Sequence, residues 1–327
     1  MFVKKFYVLL LVLLSLPLTA GAEGCDTQQR RGQAQPSATP AKPAQPTPAT
    51  KPITDERGVS NGEIKILSQN NYSPLTEPFV FVARGAETYT ALRELSGAQL
   101  PEMSADFFKT RAVVAAFLGQ RNSGGFGVEI SRAGESSFTI NERAPAEDAI
   151  VTMALTSPSL VASVPVAADE ALNLTLGAEW QGSVRPYRVN GGELTVTGGI
   201  AGVNQPAQLT GDIGMLRAGK FATFLFDLKT TGSPQARALN DTATGFVEAG
   251  GRVRLPRFSS SSLTGAIDSP FRATGQFVEN EDKLSLTFET VPAPNIADNF
   301  SASGRLEATA TAQKGGRRQE AGGRKQK

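Results

Sequence analysis

Two apolar segments between residues 107 and 131 constrain the fold of this sequence more than any other feature. Residues 112–118 are almost wholly apolar. A strand buried on both faces and a buried helical segment share this pattern, but the short length and the flanking residues favour the strand. In residues 126–131 every second side chain is apolar, which is typical of a strand with one buried face. Glycines between the two segments accept positive φ, so we predict a β-hairpin with Val114 and Phe117 in the core.

The residues that are missing exclude several classes of chemistry. The chain has no histidine, which removes Ser-His-Asp and Cys-His catalysis and histidine-ligated zinc. Its single cysteine cannot form an internal disulfide or a thiolate metal site. We therefore predict no metal, no cofactor and no enzymatic activity, with a hydrolase that uses carboxylates or a Ser–Lys pair as the remaining catalytic alternative. The formal net charge of +2 gives no support for a nucleic-acid partner.

Residues 1–25 have the pattern of an export signal. Two lysines precede an apolar core at residues 6–16 that is too short to span a membrane. Cleavage after the Ala-Gly-Ala at residues 20–22 would release a soluble exported protein. Alternatively, residues 22–25 are similar to a bacterial lipobox, in which Cys25 becomes lipidated. Because Cys25 is the only cysteine of the chain, we favour a lipid-anchored protein of the bacterial cell envelope.

Composition divides the rest of the chain into four parts. Residues 26–60 are rich in Pro, Ala and Thr and are predicted to form a disordered linker, and residues 314–327 a basic disordered tail. Residues 62–165 predict an α+β domain with an antiparallel sheet and one short helix, at 86–95. Besides the hairpin, its predicted strands lie at 64–67, 79–83, 138–140, 149–155 and 160–164.

Residues 172–313 predict an all-β domain, which makes the whole fold mainly β. Short alternating segments recur between glycine-rich turns, a pattern typical of a sandwich or a barrel. These segments lie at 172–176, 194–196, 224–226, 284–288 and 306–310.

Three pieces of the first domain carry a resemblance to a known family. They are residues 79–95, residues 106–130 with the pattern G-x-x-x-S-G-G-F-x-V-x-I, and residues 155–165. Their order and spacing resemble the C-terminal domain of the protease-complex subunit PrcB family, over about a third of the chain. The family's loop more often reads Pro-Thr-Gly-Gly-Tyr. The resemblance implies an exported, non-catalytic protein whose partner is a protein, in the namesake's case a secreted protease.

The turn of the predicted hairpin is the first candidate site. It consists of Asn122, Ser123, Gly124, Gly125 and Phe126. These residues suit a turn that has no further role, because glycine and asparagine supply the backbone conformations that turns need. They also suit a partner-binding tip, in which Phe126 enters a groove of another protein.

A second candidate site lies beyond the first domain. Trp180, Arg185 and Tyr187 would form a small aromatic and basic ligand surface, although core packing is the commoner fate of a tryptophan. The sequence therefore predicts an interaction protein that binds or stabilises an envelope or secreted protease or another protein. The alternative is an envelope protein that binds a small molecule or a glycan through its β domain.

Overall fold

The computed structural model describes residues 63–197, 206–231, 237–262, 269–291 and 301–312. The predicted signal peptide, linker and basic tail, and with them Cys25, lie outside these residues. The described residues are mainly β. They form two sheets with short helices and a closed eight-stranded barrel, so the predicted fold class is confirmed.

The first sheet is antiparallel and has the strand order β1-β6-β3-β2. Its strands are β1 (Lys65–Asn70), β2 (Phe79–Ala83), β3 (Ala112–Phe117) and β6 (Ser159–Val164), with helices α1 (Ala86–Ser96) and α2 (Phe107–Thr110) between them. Every residue of β2, β3 and β6 is buried, as expected for short, near-continuous apolar segments that are covered on both faces. Val114 and Phe117 are fully buried, as predicted.

The predicted hairpin is wrong, although both of its strands form. β3 pairs with β2 along one edge and with β6 along the other, so it has no edge left for the strand that follows it. That strand, β4 (Gly127–Arg132), lies in a second sheet of order β4-β5-β7. In this sheet β5 (Ser137–Arg143) is antiparallel to β4 and parallel to β7 (Asn173–Leu176). The loop between β3 and β4 thus connects two sheets.

The predicted strand at residues 149–155 is also wrong, because that segment is a loop. Apart from the half-buried Val151, its large apolar side chains find no buried face to pack against. Ile150, Met153 and Leu155 are exposed to 104%, 90% and 60% respectively. Apolar composition alone does not decide between a buried strand and an exposed apolar loop, since strand formation depends on tertiary context.

Helix α3 (Ala178–Gln181) leads from the second sheet into the barrel. The barrel is closed because β15 pairs with β8, and every neighbouring pair of its strands is antiparallel. Its strands are β8 (Arg185–Thr197), β9 (Ala207–Ala218), β10 (Phe221–Thr231), β11 (Arg237–Val247), β12 (Arg252–Ser262), β13 (Ser269–Val278), β14 (Lys283–Thr290) and β15 (Ser301–Ala310). One-turn 3-10 segments at Ala249–Gly251 and Glu279–Glu281 precede β12 and β14.

Alternation along the barrel strands separates two hydrophobic cores. In β10, Phe224 and Phe226 point into the barrel and belong to its core, in which Phe226, Phe258 and Phe271 lie in successive ring contact. Phe221 lies on the opposite face of β10 and packs with the core of the two sheets. The outer wall of the barrel therefore supplies part of the first core.

The edge of β2 that does not pair with β3 is covered by the barrel. The N–H of Val82 donates to Thr244 Oγ1 at 2.8 Å, and the hydroxyl of Thr223 donates to the carbonyl of Val80 at 2.5 Å. Two barrel threonines thus take the place of a further strand and satisfy an edge that would otherwise present unpaired backbone groups.

A buried ion pair joins the two cores. Nη1 of Arg84, which follows β2, lies 3.0 Å from both carboxylate oxygens of Asp241 on β11, and both side chains are almost completely buried. Asp241 also accepts from the N–H groups of Leu172 at 2.7 Å and Ser259 at 2.5 Å. Here β11 and β12 are not paired between Ala238 and Phe246, and the chain before β7 fills the gap.

Candidate partner-binding surface

The loop from β3 to β4 packs along residues 144–158, and backbone hydrogen bonds hold the two together. Arg121 and Thr156 exchange bonds of 2.8 and 2.9 Å, and the N–H of Gly124 donates to the carbonyl of Thr152 at 2.9 Å. The hydroxyl of Thr156 also donates to the carbonyl of Ser123 at 2.9 Å. We call residues 119–126 and 144–158 together the double-loop surface.

Residues 144–158, the second loop of this surface, are also held from their other side by the chain that follows β1. The N–H of Ser73 donates to the carbonyl of Ser157 at 2.8 Å, and the N–H of Ser157 donates to the carbonyl of Asn71 at 2.8 Å. Tyr72, which lies between Asn71 and Ser73, is 67% exposed. The exposed apolar side chains of this surface are thus presented on a backbone that is hydrogen-bonded to both neighbouring segments.

Gly119 and Gly125 are required for this arrangement. Both have positive φ, 75° and 88° respectively. A Cβ on Gly119 would lie 2.8 Å from the carbonyl oxygen of Thr76, and one on Gly125 would lie 2.9 Å from Cβ of Pro145. The glycines therefore allow the first loop to approach its neighbours closely, which a residue with a side chain would prevent.

Phe126 is not the freely exposed tip that the partner-binding interpretation pictured. It is half-buried and packs against the first core, and the Arg121 guanidinium lies 5.8 Å from its ring centre. Arg121 is in turn held by Glu142 on β5 at 3.0 Å and by Glu179 on α3 at 2.8 Å. Asn122 and Gly125 are exposed, Ser123 is half-buried and Gly124 is buried.

Trp180, Arg185 and Tyr187 do not share a surface in this structure. Trp180 is fully buried in the first core, where its Nε1 donates to the carbonyl of Phe117 at 2.9 Å. Tyr187 is fully buried in the barrel core, and burial raises the pKa of its hydroxyl. Arg185 is half-exposed, pairs with Asp282 and lies 5.9 Å from the Tyr187 ring.

Other features of the described residues add little chemistry. No group of three or more acidic or cysteine side chains among them could hold a metal ion. Across the same ranges, no helix has the length and apolar character needed to cross a membrane. A groove of about 510 Å³ lies between β7, α3 and the outer wall of the barrel, lined by residues that include Leu174, Val184 and Leu225.

Comparison with known families concerns the segment that builds the double-loop surface. Residues 112–165 match the family model PrcB C-terminal. The predicted resemblance is thereby confirmed for this segment, which contains β3, β4, β5, β6 and both loops. No curated protein and no solved structure matches the chain.

The sequence predicts residues 122–126 of the first loop as a candidate site, but no part of the second loop. Residues 149–155 are predicted as a strand, and that prediction gives no reason to expect their side chains on a surface. The charge pattern gave no signal that separates this loop from a buried strand, because the uncharged run at residues 149–168 also contains the buried strand β6. Neither Arg84 nor Asp241 was singled out, since they lie 157 positions apart and become a pair only in the folded chain.

Proposed function

We propose that this protein is an exported, lipid-anchored, non-catalytic subunit that binds a protein of a protease complex through the double-loop surface. The main support for this proposal is that two independent features occur in the same segment. The segment that matches the PrcB family model is the one that exposes Ile150, Met153 and Leu155 to solvent. Scattered exposed apolar residues are ordinary, but several on one constrained loop are typical of an interaction site.

The chemistry of this surface favours protein binding over catalysis. Apart from the exposed Glu147 and Asp148 near its start, the second loop carries no charged side chain, and residues 149–158 offer no nucleophile beyond hydroxyl groups. A backbone that is already hydrogen-bonded on both sides loses little conformational freedom when a partner covers it, which lowers the cost of association. Methionine and leucine at the centre of such a contact would bury most of their surface against the partner.

The sequence before the described residues supports a position at the cell envelope. Cys25 is the proposed acylation site, and a linker of about 35 residues would reach roughly 33 Å as a flexible coil or about 110 Å as extended polyproline. Such a tether would let the folded part meet a partner at some distance from the membrane surface. Multiple acyl chains, at about 0.8 kcal/mol per buried CH₂, make such an anchor stable.

Affinity capture with surface variants tests the proposal. Met153→Glu and Leu155→Glu place a charge within the double-loop surface, at side chains that are exposed and therefore dispensable for folding. Ile66→Glu is the matched control, because Ile66 is an apolar residue of β1, 57% exposed, outside both loops. We expect the wild type and Ile66→Glu to retain a peptidase, or a protein that co-purifies with one, identified by mass spectrometry.

Both loop variants should lose that protein while keeping the unfolding midpoint of the wild type. Equal recovery of the peptidase by all four proteins would refute the assignment of the surface. Failure of the wild type to retain any peptidase-associated protein would refute the proposed function itself.

A further inference from the structure

The methionines of the chain differ in how far solvent reaches them. Of four methionines, Met103, Met153 and Met215 lie in the described ranges. Met215 is 3% exposed and belongs to the barrel core, and Met103 is half-buried against the first core. Met153 is 90% exposed, so solvent reaches almost the whole of its side chain. Of these three thioethers, that of Met153 is therefore the one most open to reagents in solution.

The backbone on either side of Met153 holds the segment that exposes it. The carbonyl of Thr152 accepts a backbone hydrogen bond from the first loop at 2.9 Å, and Thr156 exchanges two backbone hydrogen bonds with Arg121. Residues 153–155, between these two anchors, are all exposed. The thioether is thus presented to solvent on a segment that is fixed at both ends.

An accessible thioether is a target for peroxides. The sulfur attacks one oxygen of hydrogen peroxide, the O–O bond breaks as the S=O bond forms, and both hydrogens leave in one molecule of water. The sulfur is oxidised by two electrons and the peroxide is reduced by two. Because the reaction requires access to the sulfur, Met153 should react well before Met103 and Met215.

Oxidation of Met153 would change the double-loop surface but not the fold. A sulfoxide replaces a flexible apolar side chain with a polar one, which weakens contacts made through methionine. The exposed side chains of Ile150 and Leu155 are apolar, so a partner complementary to them would desolvate the S=O group without a compensating donor. The side chain of Met153 belongs to neither core, and its oxidation should leave the unfolding midpoint unchanged.

We propose that Met153 is a redox-sensitive modification site, at which oxidation by a peroxide weakens the binding of the protein partner. The inference rests on the proposed function, because it concerns regulation of the same surface. Outside the cytosol, the proposed location, thioredoxin and glutathione do not keep conditions reducing. Methionine sulfoxide reductases reverse the modification, and a dithiol supplies the electrons as it becomes a disulfide and water is released.

Peptide mapping by mass spectrometry tests the first step. The purified full-length protein is treated with increasing concentrations of hydrogen peroxide, and the sulfoxide fraction is measured at each methionine. We expect Met153 to be oxidised roughly tenfold faster than Met215, and also faster than Met103. Oxidation of Met103 or Met215 at a rate equal to or higher than that of Met153 would overturn the proposal.

A competition within one sample tests the second step. Partly oxidised protein is mixed with a limiting amount of envelope extract that contains the peptidase, and gel filtration separates the complex from the unbound protein. We expect the ratio of sulfoxide to thioether at Met153 to be roughly tenfold lower in the complex than in the unbound pool. Met103 is the internal control, because it lies outside both loops, and its ratio should be equal in the two pools.

An equal ratio at Met153 in both pools would overturn the proposal, although the complex itself would still support the proposed function. If untreated protein forms no complex with a peptidase, the proposed function is refuted, and the regulation of binding with it. Treatment of the oxidised protein with both methionine sulfoxide reductases should return the yield of complex to that of untreated protein. A yield that stays low after full repair of Met153 would contradict a role for this side chain.

Discussion

The buried pair of Arg84 and Asp241 should be among the most sensitive positions in the protein. Asp241→Asn keeps the shape of the side chain but removes the charge that compensates a guanidinium with a side-chain exposure of only 4%. Removing one member of a buried pair typically costs about 3–5 kcal/mol, because the remaining charge stays desolvated. That is a large share of a total stability of roughly 5–15 kcal/mol. The pKa of Asp241 lies above its usual value, because burial raises it by more than Arg84 and the backbone N–H groups lower it.

A double-mutant cycle isolates the interaction. Arg84→Met should lower the free energy of unfolding by a similar amount in the wild-type background. In the Asp241→Asn background it should lower it by considerably less. The coupling free energy should be about 2 kcal/mol, within the range for contacting residues. The exposed pair of Arg272 and Glu289 is the control, because surface pairs contribute only about 0–1 kcal/mol.

Urea unfolding with two probes gives the measurement. The single tryptophan, Trp180, is fully buried in the first core, so its fluorescence reports on that core, while far-UV circular dichroism is dominated by the barrel strands. Since the pair and the two barrel threonines join the cores, both probes should show one coincident transition in the wild type. A coupling free energy below about 0.5 kcal/mol, or separate wild-type transitions, would refute this account of the junction.

Three further substitutions have clear expected outcomes. Phe117→Ala removes a fully buried ring from β3 and should lower the free energy of unfolding by about 3–5 kcal/mol, where an unchanged unfolding midpoint would contradict the core position. Gly125→Ala introduces a Cβ at a φ of 88° and 2.9 Å from Pro145, so thermal unfolding should show a loss of roughly 1–3 kcal/mol. Cys25→Ala should move the protein from the membrane to the soluble fraction, and a wild type found soluble with Glu23 at its N-terminus would contradict acylation.

Local patterns predicted most of the strands of the two sheets. The strand predicted at residues 79–83 is β2 (Phe79–Ala83), and the helix predicted at 86–95 is α1. These segments have apolar runs or periodic stripes whose ends are marked by proline or glycine, so their boundaries are encoded nearby in the chain. In the barrel, the alternation of Phe224 and Phe226 likewise indicated which side chains of β10 share one face, the face that points into the barrel.

Pairing between strands was not predictable in the same way. The glycine-rich loop before Phe126 is compatible with a hairpin, and only the presence of β2 and β6 on both edges of β3 excludes one. The choice depends on pairing partners 30 or more positions away on either side. The ion pair of Arg84 and Asp241 could not be predicted for the same reason, because neither residue has a partner nearby in the sequence that indicates its burial.

The candidate site was predictable in part. The turn-forming residues Asn122–Phe126 predicted part of the first loop, and of its two glycines Gly125 has the positive φ that a turn can require while Gly124 does not. The exposed side chains that complete the surface belong to a segment whose apolar composition resembles a buried strand. Trp180 and Tyr187 illustrate the opposite case, since aromatic residues close in sequence enter two different cores.

The most direct test of partner binding through the double-loop surface is photo-crosslinking in the cells that naturally produce the protein. A photoreactive phenylalanine analogue is placed at Met153, which is 90% exposed, and for comparison at Glu307, an exposed residue of β15 on the barrel. We predict that irradiation links position 153 to a peptidase or to a subunit of its complex, and that position 307 yields no such product. Crosslinks to that protein from position 307 but not from position 153 would contradict the account.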